Sequence, residues 1–352
     1  MSAVFEQAVP AAPTEERITF SATGSEYFRI WIVNLLLSIV TLGIYSAWAK
    51  VRRNQYFYAN TKLAGSTFEY HGNPMAILKG RIAAIVLFGG YNLALRYSLP
   101  FGLVMMAVVA AVMPWLVWKS LQFSLHNSSY RGIRFGFRGS LGSAYLHYLV
   151  LPIVSVITFG FGTPFVHQRL KRYQHTESRY GGTHFSFDAT VGDFYKTYAV
   201  FLGLIVAGSF ALGIAAAVFG GVAAVLSGAA GASGAVFLLI IVSYAFFLCV
   251  GWALMAVLQN LIWNHTQLGT HRFKSTMTWS GLAGLYMTNT LAIIFTLGLF
   301  IPFAHVRALR YRLESTAMLV NGSLDDVVAN KGDAVSAFGE GAADLAGFDL
   351  SL

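Results

Sequence analysis

Three stretches of equal length decide how this chain is read: TLGIYSAWAKVRRNQY at 41–56, TFGFGTPFVHQRLKRY at 158–173 and TLGLFIPFAHVRALRY at 296–311. They align without a gap. Counting from the leading Thr41, Thr158 or Thr296, an aromatic follows at seven (Trp48, Phe165, Phe303) and Lys or His at nine (Lys50, His167, His305). Arg falls at eleven (Arg52, Arg169, Arg307) and Tyr at fifteen (Tyr56, Tyr173, Tyr311). Gly43, Gly160 and Gly298 stand two after each Thr, and the later copies add Pro164 and Pro302. A mostly apolar run of about 15 residues precedes each Thr. Gly and Pro interrupt helices, and at membrane depth such a break is tolerated where protein covers it. Thr41, Gly43, Thr158, Gly160, Pro164, Thr296, Gly298 and Pro302 are therefore the candidate hinge positions of three bent apolar segments.

Between these units lie two longer ones. Trp115, Gln122, Asn127 and Gly132 have the spacing of Trp252, Gln259, Asn264 and Gly269. The chain thus alternates in the order A-B-A-B-A, with units at 20–68, 69–135, 137–185, 187–273 and 279–319. The stretches NTKLAGSTF (60–68), NSSYRGIRF (127–135) and NHTQLGTHRF (264–273) run from Asn through Gly to Phe, and HTESRYGGTHF (175–185) is a looser version. Each reads as a helix stop and a turn before an aromatic, strand-like stretch.

Of 352 residues, 56% are hydrophobic and 11% charged, against about 25% charged in an ordinary soluble domain. A soluble fold cannot cover so much apolar surface. The expected fold is an all-α, multi-pass integral membrane protein. Its apolar segments are 27–49, 143–166 and 284–304 in the A units and 82–118 and 198–262 in the B units. A 37-residue helix reaches about 55 Å, barely enough for two crossings of a core about 30 Å thick. So 82–118 reads as a helical hairpin broken near Arg96 and Pro100, and 198–262 as two spans joined near Gly228, Gly231 and Gly234.

The basic residues choose between two span counts. If every A unit crosses, there are seven spans, and Lys and Arg divide 14 to 10 at best. If the A units bend or re-enter and only the B units cross, there are four, with 23 basic residues on one side and Arg96 alone on the other. The positive-inside tendency prefers the second division and places both termini in the cytoplasm. Seven spans remain the alternative.

The ends differ from the middle. Residues 1–19 are polar, with no basic stretch followed by an apolar one, which predicts no cleavable signal peptide. The segment 320–352 carries Asp325, Asp326, Asp333, Glu340, Asp344 and Asp349 against Lys331, a charge of −5, and reads as a disordered acidic tail. Since the whole chain is +9, residues 1–319 carry +14.

No Asp or Glu lies within an apolar segment, which lowers the case for an ion-coupled transporter. No nucleophile–base set, zinc spacing or phosphate loop stands out, so no enzyme activity, metal or cofactor is expected. The expected partners are membrane lipids, anionic ones foremost, and not nucleic acid, because the charge follows membrane edges. The candidate lipid or phosphate contacts are Lys50, Arg52, Arg53, Arg169, Lys171, Arg172, Arg307 and Arg310, interleaved with aromatics suited to the headgroup level.

The stretch FSATGSEYFRIWIVNLLLSIVTLGIYSAWAKVRRNQYFYANTKLAGSTFEYHG (20–72), with TFGFGTPF and TLGLFIPF later, resembles the YjgN-like family of bacterial inner-membrane proteins, domain of unknown function 898. The resemblance covers roughly 20–320 and implies a multi-pass inner-membrane protein; it transfers no catalytic residue. Two functions follow as expectations: a transport-like or small-molecule/lipid-handling protein, or a non-catalytic membrane organiser that binds anionic lipid through basic-aromatic cytoplasmic edges.

Overall fold

The computed structural model describes residues 13–322; the acidic segment from 323 onward lies outside them. Two short strands, β1 (Thr14–Arg17) and β2 (Thr19–Phe20), open the chain. Helices α1 (Gly24–Val40) and α2 (Ser46–Ala59) follow, then the hairpin β3 (Thr61–Leu63) and β4 (Ser66–Tyr70). Next come α3 (Pro74–Tyr97), α4 (Leu99–His126) and the hairpin β5 (Ser128–Tyr130) and β6 (Ile133–Phe137). A π-helical stretch, Leu146–Val150, joins α5 (Leu141–Tyr145) to α6 (Leu151–Ile157). Then come α7 (Thr163–Thr176), β7 (Ser178–Tyr180) and β8 (Thr183–Phe187). The described residues end in α8 (Val191–Asn264), β9 (Thr266–Leu268), β10 (His271–Ser275), α9 (Trp279–Phe295), α10 (Ile301–Glu314) and β11 (Thr316–Val320).

The strands form one antiparallel sheet in the order β1-β11-β10-β9-β8-β7-β6-β5-β4-β3-β2. Its two edge strands are consecutive in sequence. Thr14–Arg17 pairs with β11 and Thr19–Phe20 with β3, while the Ile18 amide donates to the Thr316 carbonyl at 3.2 Å. One stretch of chain thus draws both edges together into a nearly closed barrel, and leaves few strand edges open.

The hairpins turn in two residues. Ala64-Gly65 and Arg131-Gly132 both have positive φ, as a type I′ turn requires, and the other two turns begin at Gly181 and Gly269, also positive. All these turns sit at one end of the barrel, so every helical connection leaves from the opposite rim. Alternation sends Leu63, Tyr130, Tyr180, Leu268, Met318 and Val320 into one enclosed core, with Phe68, Phe135, Phe185 and Phe273 packed around them. Hydroxyls stitch this core: Tyr130 donates to the Leu63 carbonyl at 2.6 Å and Tyr180 to the Tyr130 carbonyl at 2.9 Å. The last residue of each second strand faces the helices instead. Tyr70 packs with Ala47, Val51, Ile77 and Phe123; Phe137 packs with Val117, Leu121 and Tyr173.

Among the described residues three helices are long and apolar enough to cross a membrane: α3, α4 and α8. The α3–α4 pair reverses at Ser98, whose hydroxyl accepts from the Phe101 amide. Within α8 the backbone breaks at Gly228 (φ 61°, ψ −149°), and the two arms fold together so that Gly208 lies against the ring of Phe246.

The all-α expectation is therefore corrected. The eleven strands among the described residues, two to five residues long, escape a reading based on alternation, because so short a strand offers only one or two periods. Among the described residues neither four separate full spans nor seven are found; three helices qualify, the last folding back at Gly228. The three expected bent helices are instead helix pairs (α1 with α2, the α5–α6 stretch with α7, α9 with α10), each joined by a sharp turn. The polar segment 1–19 carries the closing strand at its end.

Candidate functional site

The three short helix pairs share one local construction. At each turn the threonine hydroxyl donates to a carbonyl four residues back: Thr41 to Leu37, Thr158 to Val154 and Thr296 to Ala292, at 2.7–2.8 Å. The same oxygen accepts the amide four residues on, from Tyr45, Gly162 and Phe300. The glycine that follows takes φ of 89°, 87° and 90°, and its amide closes onto Ser38, Ser155 and Ile293. Only glycine adopts such an angle at no steric cost.

The residue between threonine and glycine is not glycine, yet it too is left-handed: Leu42 (φ 50°), Phe159 (51°) and Leu297 (50°). These large apolar side chains are 94%, 93% and 94% exposed. Ile39, Val40 and Ile44, or Val156, Ile157 and Phe161, or Ile294, Phe295 and Leu299, surround them, also exposed. Each turn is thus an apolar tip pointing away from the barrel rim.

At the opposite end of each pair the repeated tyrosine ties the helices together. Tyr56 bonds Thr23, Tyr173 bonds Ser140 and Tyr311 bonds Thr278, each across 33 residues. Thr23, Ser140 and Thr278 are the N-caps of α1, α5 and α9, so the tyrosine fixes where the outgoing helix begins.

The repeated arginines are exposed and lie on the returning helices, each over an aromatic ring. Arg52 is 5.7 Å from the Tyr45 centroid, Arg169 5.3 Å from Phe165 and Arg307 5.9 Å from Phe300. Arg307 also donates to Asn289 Oδ1 at 2.7 Å and Thr288 Oγ1 at 3.2 Å. The histidine aligned with Lys50 in the middle unit is no cation at neutral pH: burial, aided by the charge of Lys171, pushes His167 down to about 4, and its Nδ1 lies 2.9 Å from the Tyr198 hydroxyl.

A family model described as "Bacterial protein of unknown function (DUF898)" matches residues 15–345. The chain belongs to DUF898. The inner membrane protein YjgN of Salmonella typhimurium is 28% identical to this DUF898 chain over 141 residues, 40% of the chain and 36% of that relative. The inner membrane protein YjgN of Escherichia coli K12 is 30% identical over 147 residues, 42% of the chain and 36% of that relative. The match spans about a third of these relatives' length. No solved structure matches. With its three long apolar helices, this DUF898 chain is a membrane protein.

The other basic residues singled out in the DUF898 sequence scatter in role. Arg310 donates to the Ala22 carbonyl at 2.6 Å and so holds the first unit to the last. Arg53 is half-buried and reaches Asn54 at 3.5 Å. Arg172 is exposed, while Lys50 and Lys171 are half-buried and already engaged within the fold. Pro164 and Pro302 are buried near the starts of α7 and α10. Arg29 and Gln55 were not singled out in the sequence, yet with Arg52, Ile30 and Val33 they line a cavity of about 360 Å³ between α1 and α2. The signal available for Arg29 was its place on the same short helix pair as Arg52.

Proposed function

We propose that this chain is a non-catalytic, multi-pass protein of the bacterial inner membrane, built from repeated units, that contacts anionic lipid through a row of arginines. The carrying observation is the matched set Arg52, Arg169 and Arg307: each is exposed, each lies over an aromatic ring, and each sits on a helix that returns from an apolar tip to the barrel rim. A guanidinium near an anionic headgroup is worth about 1 kcal/mol. The cytoplasmic placement of the barrel and both termini draws support from the shared rim and from Arg96, which stands at the far end of α3, next to the Ser98 reversal. The curated relatives' names support the inner membrane. A transport-like role draws less support, because the barrel axis is filled by Leu63, Tyr130, Tyr180, Leu268 and Met318.

The test replaces all three arginines, R52Q/R169Q/R307Q, and measures preference for spin-labelled phosphatidylglycerol over phosphatidylcholine around the reconstituted protein. Loss of about 1 kcal/mol at each of the three contacts, roughly fivefold in preference at each, is expected. Unchanged preference in a folded variant overturns the reading.

A further inference from the structure

The first helix pair departs from the other two at one place. Twelve residues before the leading threonine it has Arg29, where the later copies have Leu146 and Gly284. Arg29 on α1 and Arg52 on α2 line the same open cleft of about 360 Å³, together with Gln55. Both arginines are exposed, and among the described residues neither makes an ion pair. The acid one turn before Arg29, Glu26, does not line the cavity; it accepts the Tyr56 hydroxyl at 2.9 Å. Two like charges on residues lining one cleft repel each other and attract an anion to it.

The shape of the anion follows from the donors and the walls. A guanidinium presents a planar fork that matches two oxygens of a phosphate, and the Gln55 amide adds a further donor. Ile30 and Val33 give the cavity an apolar side. Beyond Val33, α1 continues through exposed Leu36, Ile39 and Val40 to its tip. Polar donors near the rim and an uninterrupted apolar track away from it suit a molecule with a phosphate at one end and an alkyl chain at the other. The geometry points to one phosphate site per chain, between Arg29, Arg52 and Gln55, that holds the phosphate of an anionic lipid. This rests on the lipid-contacting reading above and sharpens it from a row of arginines to one built site.

Native mass spectrometry of the full chain, extracted in neutral detergent and loaded with phosphatidylglycerol, counts the lipid retained. One lipid per chain is expected for the unaltered protein. Arg29→Gln weakens retention by about tenfold or more, the loss of one charge-assisted contact. Arg29→Lys falls between, since an ammonium cannot bridge two oxygens. R169Q/R307Q, which leaves the cavity intact, retains the lipid. Millimolar inorganic phosphate then separates the two sources of the same chemistry. Displacement of the lipid marks a site that reads phosphate alone, and resistance marks one that reads phosphate and chain together. Retention lost in R169Q/R307Q but kept in Arg29→Gln overturns the single site and leaves the broader reading standing. Retention equal in every variant overturns both. Unchanged melting temperatures confirm that the variants are folded.

Discussion

The barrel and the three helix turns use large apolar residues in opposite ways. In the barrel Tyr180 is 3% exposed, surrounded by its counterparts from neighbouring hairpins, with its hydroxyl bonded to a carbonyl. At the turns Leu42, Phe159 and Leu297 are bare and held at a φ that a non-glycine residue visits at a cost of roughly 1–2 kcal/mol. The barrel satisfies its apolar groups internally, as a water-facing fold must. The turns leave theirs for a surrounding apolar medium to cover. Burial inside one chain therefore measures only half of how this molecule hides its hydrophobic surface.

The largest expected effect tests the barrel half of that contrast. Tyr180→Ala removes a buried ring and a hydroxyl bond, and should cost about 3–5 kcal/mol in denaturant unfolding of the detergent-solubilised protein. A cost below about 1 kcal/mol would mean the core packs loosely, and the contrast would fail.

The next effect lies at the joint between barrel and helices. His175 on α7 is buried against Phe187 and Trp263, with its Nδ1 3.4 Å from the Thr266 hydroxyl. Burial, reinforced by the charge of Lys171, pushes it down to about 3 from an ordinary 6.5. Between those values the unfolded chain binds a proton that the folded chain does not, so stability rises with pH across the window and falls on acidification. Each pH unit below about 6.5 should cost up to about 1.4 kcal/mol. His175→Phe should flatten the slope of melting temperature between pH 6.5 and pH 4.5. An equal slope in both proteins would place the acid sensitivity elsewhere.

Smaller changes sharpen the comparison of the three turns with one another. Tyr311→Phe removes the bonds to the N-cap Thr278 and should cost about 1 kcal/mol in urea titrations, and Tyr56→Phe, which also removes the bond to the Glu26 carboxylate, should cost more. Equal losses would show that the Glu26 bond adds nothing to the first pair. Least of all, Leu42→Ala should alter stability in detergent by less than about 0.5 kcal/mol, because its side chain touches little of the chain. A larger loss by calorimetry would show that the tip packs against its own protein.

The spacing of Thr41, Gly43 and Tyr56 and of their counterparts was legible because each position answers to a bond within the unit: a hydroxyl to the preceding turn, a positive φ, a tyrosine to an N-cap. The barrel was not. Its strands are too short for alternation, and the pair Thr14–Val320 joins residues from opposite ends of the described chain, which no local pattern announces. The Asn-to-Gly-to-Phe stretches held the signal, since each contains a tight hairpin turn, but a helix stop explained them equally well. Arg52 stood out through repetition. Arg29 did not, because a position unique to one copy is invisible to a comparison among copies.

The clasp that β1 and β2 make on β11 and β3 has a consequence for assembly. The partner of Thr14–Arg17, Thr316–Val320, is made some 300 residues after it. At 5–20 residues per second, that is a wait of roughly 15–60 s. Throughout that interval the growing sheet has an unfinished edge on each side, and three long apolar helices must find the bilayer meanwhile. The ring cannot close before β11 exists, so truncation after residue 315 would remove the partner of both β1 and β10 and leave the barrel open.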